Sequence, residues 1–371
     1  MGFLKKKSSS KETEIQEAEV LIELQSPSCP VTAIVEQDNR TVYFYLWGAE
    51  GSNFGVKSSW VRNLKKAPQQ LETALMEQGV PPMQTEEFCI HPNGSEKLNK
   101  DDLSIIWLEE GDGAALLLNG EVISIIPSWA GQNGFNGYAK EAKGQGDFAW
   151  ELSDNNALYD RVHASKEFWD AWDLEQSPFN ILQPKILDTY DEIFGEQDNY
   201  FAIDGNEWPP KGLYLKKGES KTVFATVGLS LIPMPVVEMY TENRFDANRI
   251  EFGFLLNSPI TDEAVQQIGG WMSAQTTIPW HNITFLGEGH TIEFLSLNSS
   301  KLNFVLLTSQ LNILPEPNIE KYRNSKTNFL WMVPISEKER QHIVDNGSDT
   351  IIEKLNKIGK EVFSLDRAEV I

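Results

Sequence analysis

With 54 acidic against 32 basic side chains, the 371-residue chain carries a net charge of −22. That charge repels nucleic-acid phosphates and anionic lipid surfaces, so the electrostatic footprint of a DNA, RNA or membrane binder is missing. Single cores rarely grow beyond about 250–300 residues, so this length predicts two domains. Two cysteines, Cys29 and Cys89, form no CxxC pair and no disulfide framework.

The head, "MGFLKKKSSSKETE", has a basic cluster but no apolar run of signal-peptide length, and reads as a short disordered segment, residues 1–14, of a cytoplasmic protein. No stretch approaches the roughly 20 apolar residues of a membrane span. "AEVLIELQS" (18–26), "PVTAIVEQ" (30–37) and "RTVYFYLWG" (40–48) cluster β-branched and aromatic residues between turn signals and predict antiparallel strands. "APQQLETALMEQG" opens near Pro68, puts Leu71, Leu75 and Met76 on one face and stops at Gly79, which predicts an amphipathic helix. "LSIIWLEE" (103–110), "AALLLNG" (114–120) and "EVISIIPSW" (121–129) predict a three-stranded meander with tight turns at 111–113 and at Asn119-Gly120. Five glycines between 131 and 146 suggest a mobile loop.

"ASKEFWDAWDLEQ" (164–176) sets Phe168, Trp169 and Trp172 at helical spacing, a stripe that reads as core packing. Ser177-Pro178 and Pro184 mark the expected boundary between an N-terminal α+β domain, residues 15–176, and a second domain, residues 177–371. Beyond it, a helix is expected from Pro184 to Gly195, strands over 199–204, 222–234, 248–257, 290–297 and 303–309, and a helix over 261–277 with Thr261 as N-cap. The fold class is α+β: two modules of mainly antiparallel sheet with packed helices.

"KTNFLWMVPISEKERQHIVDNGSDTIIEKLNKIG" (326–359) reads as a buried strand ending at Pro334, a capping box of Ser336 with Glu339, and a first helix from about Glu337 to Asp345. A break at Asn346-Gly347 follows, then a second helix capped by Ser348, with Ile351, Ile352, Leu355 and Ile358 on one face. Glu337, Glu339 and Asp345 are expected at the surface.

That segment resembles the closing part of the suppressor-of-fused domain, where a "P-(I/L)-(S/T)-x-x-E" turn leads into a helix pair. "FATVGLS" (224–230) resembles the family's "TxGLS" strand, and "RIEFGFLL" (249–256) its "GFELTF" strand. "PWHNITFLGEGHTI" (279–292) is similar to its glycine-acid-His turn, "FVLLTS" (304–309) to a late core strand, and "SLDRAEVI" (364–371) to its final Asp-Arg strand. The resemblance covers about residues 180–371 and implies a non-catalytic protein-binding module. Animal members bind a zinc-finger transcription factor of the Hedgehog pathway, a binding not carried over here. The likeness is to bacterial relatives and implies an immunity, antitoxin or regulatory protein that sequesters a protein partner such as a polymorphic toxin, with no cofactor.

The residues themselves argue little for chemistry. Gly228-Leu229-Ser230 is no nucleophile elbow, since Ile232 stands where the second glycine belongs. Among His91, His163, His281, His290 and His342, the one suggestive cluster is His290 with Glu293, an H-x-x-E spacing, and nearby Glu288, from which a metal-dependent hydrolase is the rival reading. On a strand, His290 and Glu293 point to opposite faces. Trp208 beside Pro209-Pro210, Trp271, and Trp280-His281 lie in or near loops, where aromatics either fill a core or anchor a partner. With His290 they are the candidate partner-binding residues. An inert scaffold without a specific partner is the third reading.

Overall fold

The computed structural model describes residues 17–294 and 301–371; the predicted head and the last three residues of the expected 290–297 strand lie outside them. The chain divides into two compact units. One comprises residues 17–25, Val31–Ile106 and Gly113–Asp160; the other comprises Ser26–Pro30, Trp107–Asp112 and Arg161–Ile371. Both mix helices with largely antiparallel sheet, the α+β class that the patterning predicts.

In the first unit, β1 (Glu19–Gln25), β2 (Val31–Gln37), β3 (Thr41–Gly48) and β4 (Val56–Asn63) form an antiparallel sheet in sequence order. β2 alternates fully between buried and half-buried positions, the period-2 signature of a strand with one face in a core. The predicted amphipathic helix shrinks to one turn, α1 (Thr73–Met76), because Leu71 and Met76 are exposed and no residue of that turn is buried. With no core to cover its apolar side, the segment lacks what sustains a short helix. β5 (Leu103–Trp107), β6 (Ala114–Leu118) and β7 (Glu121–Ile126) make the expected meander. Asn119 and Gly120 both take positive φ, as a two-residue hairpin loop demands. β8 (Tyr138–Ala139), inside the glycine-rich segment, and β9 (Trp150–Glu151), just after it, complete that sheet. Tyr43 and Trp60 pack with Ala139, Ala142 and Ala149 in this unit's core.

The second unit is reached through α2 (Leu158–Asp170), which begins six residues before the predicted start and buries Phe168 fully, as the aromatic stripe implied. α3 (Pro178–Phe194) does not open at Pro184: Pro178 holds its first turn, Ser177 caps it, and Pro184 lies inside. The earlier proline suits the first helical position because its missing N–H would be unpaired there anyway. β10 (Asn199–Ala202), β11 (Gly212–Lys217), β12 (Thr222–Val227) and β13 (Arg249–Leu256) follow, then α4 (Asp262–Gln275), α5 (Ile278–His281), β14 (Thr291–Glu293), β15 (Phe304–Thr308) and β16 (Thr327–Ile335). They form a seven-stranded sheet in the order β10-β11-β12-β13-β16-β15-β14, antiparallel throughout except for the central pair β13 and β16. β12 and β13 are buried at every position, so the polar residues they carry, Thr222, Thr226, Arg249 and Glu251, are buried with their apolar neighbours.

One face of the sheet packs Val223, Leu255, Phe329 and Trp331 against Tyr190 and Phe194 of α3. α6 (Glu337–Asn346) and α7 (Asp349–Ile358) add Ile343, Ile351 and Leu355 to that core. On the alternate positions Phe224 and Phe254 meet each other, and Phe254 meets Trp271 of α4. Thr261 accepts the Ala264 N–H at 3.3 Å, the expected N-cap.

The capping box is present in both directions: Ser336 accepts the Glu339 N–H, and Glu339 accepts the Ser336 N–H at 2.8 Å. Gly347 has φ 83° and ends α6, but Ser348 makes no side-chain cap to α7. Glu339 is not at the surface. It is fully buried and binds Arg367 through two parallel 2.8 Å contacts, so the Asp-Arg segment near the end of the chain is an irregular strap rather than a strand.

The expected strand 222–234 stops at Val227, where Gly228 takes φ 97° and a short 3-10 turn follows. The reversal aims four donors at the buried carboxylate of Glu251 on β13: Thr226 Oγ1 at 2.6 Å, Gly228 N at 3.0 Å, Ser230 N at 2.9 Å and Ser230 Oγ at 2.7 Å. Burial outweighs these donors and pushes the Glu251 carboxyl up to about 7. An unfolded carboxyl titrates near 4.5, so as pH rises the unfolded chain loses its proton first. The wild-type protein is therefore expected to lose stability as pH climbs from about 4.5 to about 7 and to level off above. Urea unfolding across that range, with Glu251→Gln as the non-titrating control, measures the effect; parallel curves for the two proteins would contradict it.

Candidate functional site

Three of the five aromatic and histidine candidates converge within the second unit. Trp208, Trp280 and His281 line a cavity of about 230 Å³ together with Pro27, Pro209, Lys211 and Ile232. Apart from Ile232, which follows the turn after β12, its walls come from three segments, each fixed by local chemistry.

The stretch Ser26–Pro30 is tied to residues 107–112 of the same unit: Ser26 Oγ donates to the Gly111 carbonyl at 2.7 Å and Ser28 Oγ to the Glu110 carbonyl at 3.1 Å. Cys29 lies buried beside it, its thiol pushed well up by burial. The second segment is the loop after β10. Asp204 organises it, accepting from Asn206 N at 2.8 Å and Lys211 N at 3.1 Å. A cis bond joins Trp208 to Pro209 at its tip. The third is α5, where Trp280 is anchored by its indole N–H to the Pro233 carbonyl at 3.0 Å and is only 7% exposed.

Trp208 differs from Trp280 in availability. Its ring lies 5.8 Å from Trp169 and 5.2 Å from Trp172, yet it stays 41% exposed. A tryptophan held on one side by two others and open on the other is pre-ordered for contact, so little rotamer entropy remains to be lost on binding. Lys211 is 8% exposed, with its ammonium 6.0 Å from the Trp280 ring; burial lowers its pKa against the pull of Asp204, Glu207 and Glu251.

The other two candidates lie elsewhere. Trp271, half-buried on α4, packs against Phe254 and Phe294 with its indole N–H on the Glu293 carbonyl at 3.1 Å. His290 packs on Phe285, ring centres 5.1 Å apart, and burial lowers its pKa. The Glu288 carboxylate is occupied by Ser309, accepting from N at 2.8 Å and Oγ at 3.0 Å, while Glu293 sits on β14 opposite Phe304. Among the described residues no three His, Cys, Asp or Glu side chains are grouped to hold a metal ion. No helix among them is long and apolar enough to cross a membrane.

Charged residues that drew no attention in the sequence form a buried network behind this site. Arg161 joins Glu110 at 3.0 Å and Glu238 at 2.8 Å, and Arg244 also pairs with Glu110. Burial alone would raise the Glu110 carboxyl; Arg161 and Arg244 overcome it and hold it at about 2. Glu109 takes Arg323 at 3.0 Å and Arg249 at 3.5 Å, and Arg249 donates to the Ser230 and Leu231 carbonyls at 2.7 and 2.6 Å. These partners are scattered along the chain, and "EE" at the end of a predicted strand gives no local sign of burial. The network holds residues 107–112 in place, and those residues hold Ser26–Pro30.

Residues 209–368 match the family model described as Suppressor of fused protein (SUFU), a match that supports a protein-interaction or regulatory module. Similar solved structures include a SUFU homolog from Neisseria gonorrhoeae FA 1090, with 16% identity and a TM-score of 0.38 over 52% of this chain and 98% of that one. The Sufu-Fu complex matches with 14% identity and a TM-score of 0.38 over 52% and 91%. Drosophila Suppressor of Fused matches with 15% identity and a TM-score of 0.37 over 51% of each chain. No curated protein matches the chain significantly.

Proposed function

We propose, from the premise that residues 209–368 belong to the suppressor-of-fused family, that the chain is a non-catalytic protein-binding module. It acts as an immunity, antitoxin or regulatory protein of the cytoplasm that sequesters a protein partner, with the second unit, which takes in Ser26–Pro30 and Trp107–Asp112 besides Arg161–Ile371, carrying the binding. The family match carries this reading. The half-exposed Trp208 beside Trp280 and His281 supports the choice of contact, because aromatic anchors over apolar pockets dominate protein-binding energetics.

A net charge of −22 favours a basic partner such as a nuclease toxin, drawn in by long-range attraction that salt screens beyond about 10 Å at 0.1 M. Co-expression with the product of the neighbouring gene, followed by pull-down and growth rescue, tests the claim. Trp208→Ala is expected to weaken the complex by about 2 kcal/mol or more, the scale of a hot-spot residue, while the melting temperature moves little. Failure of the two products to co-purify, with no rescue of growth, would remove the proposal. Association that is unchanged at high salt would remove its electrostatic part alone.

A further inference from the structure

We propose that the cavity at Trp208 and Trp280 is a carboxylate-binding pocket whose ligand has an apolar body the size of one aromatic side chain. The proposal rests on the reading of these residues as a contact site and names the chemistry that the contact takes. A volume of about 230 Å³ admits a side-chain-sized group, and Trp208, Trp280, Pro209, Ile232 and Pro27 give it an apolar wall.

The polar groups are one-sided. The Ser28 hydroxyl donates to the Glu110 carbonyl and that of Thr277 to the Ala274 carbonyl. Left to meet a ligand are the Lys211 ammonium and the His281 imidazole, neither of which has a side-chain hydrogen-bond partner among the described residues. No carboxylate lines the cavity. Asp204 lies near Lys211 but is engaged by the N–H groups of Asn206 and Lys211, and Glu251 is engaged by its own four donors. Glu207 is exposed.

The Lys211 side chain is 92% withdrawn from solvent, its ammonium is among the groups that line the cavity, and an anion arriving there gains a charge-assisted bond in a largely desolvated place. Two donors match the two oxygens of a carboxylate; a phosphate, with more charge and more acceptors, calls for more donors than the walls provide. Edge and face contacts with two indoles favour an aromatic body. In a chain of net charge −22, this is a local cationic site set against the overall field.

The test titrates the purified full chain, by calorimetry and tryptophan fluorescence, with 3-phenylpropionate and with 3-phenylpropanamide. The peptide Gly-Gly-Phe, ending as free acid or as amide, and inorganic phosphate complete the set. Each acid is expected to bind about tenfold or more tightly than its amide, and Lys211→Met is expected to erase that difference. Tighter binding of the peptide acid than of phenylpropionate would assign the ligand to a protein C-terminus, and the reverse to a free aromatic acid. Equal binding of acid and amide, no binding of either to folded protein, or phosphate binding as tight as the acids would overturn the proposal. If Lys211→Met does not fold, the acid-against-amide comparison on the wild type decides alone. Failure of all probes while the protein partner is still captured would overturn this inference and leave the proposed function standing. Probe binding with no partner found would do the opposite.

Discussion

An Arg367→Leu variant is expected to lose about 3–5 kcal/mol of unfolding free energy, the cost of leaving a buried carboxylate without its counter-ion. Glu339 has no exposed surface and the Arg367 side chain almost none. Besides the two parallel contacts with Glu339, Arg367 donates to the Pro334 carbonyl at 2.7 Å, and Glu339 also accepts from Val370 N at 2.8 Å. The pair therefore pins the last segment of the chain to the start of α6. Replacing both residues with leucine should cost less than Arg367→Leu alone, since no charge is then stranded. A loss below about 1 kcal/mol, the range of exposed ion pairs, would contradict the buried geometry. Arg367 outweighs burial and holds the Glu339 carboxyl below its usual value. Its stabilisation is accordingly complete above an unfolded pKa of 4.5 and fades as pH falls through the lower folded value.

Gly228→Ala is expected to cost about 2–5 kcal/mol for two independent reasons. At φ 97° any side chain strains the backbone. An added Cβ would also stand 2.8 Å from the Phe179 ring and 3.1 Å from the Pro210 carbonyl. Relief of either clash moves the backbone N–H away from Glu251, so the damage reaches the carboxylate cradle. Urea unfolding measures the loss; a variant within about 0.5 kcal/mol of wild type would show that the turn tolerates a side chain.

The legible parts of the fold are those written in neighbouring residues. β2, the hairpin at Asn119-Gly120, the Thr261 cap and the Ser336–Glu339 box each depend on residues within a few positions of one another, and each was readable. Glu339 was misplaced because its N3 position in the capping box is satisfied by local bonds whether it faces water or the core; the partner that buries it stands 28 positions away. Similarly, the apolar run over 222–234 predicts one uninterrupted strand, and the Thr, Gly and Ser of "FATVGLS" make sense only once Glu251 is placed opposite. At the site, tryptophans in or near loops point to Trp208 and Trp280, but the same rule picks out Trp271, which stands half-buried on α4 away from the cavity. Lys211 has no local sign of burial, because a lysine before a strand looks solvated until the loop closes over it.

The parallel pairing of β13 with β16 bears on how the chain is made. Residues 257–326 are synthesised between these two strands, so when β13 leaves the ribosome its central-sheet neighbour does not yet exist. A buried strand, apolar but for Arg249 and Glu251, with one open edge is a template for mispairing, and such long-range closure is slow. Until β16 arrives, the nascent chain presents that edge to other chains, which makes this interval the natural point for chaperone engagement or aggregation.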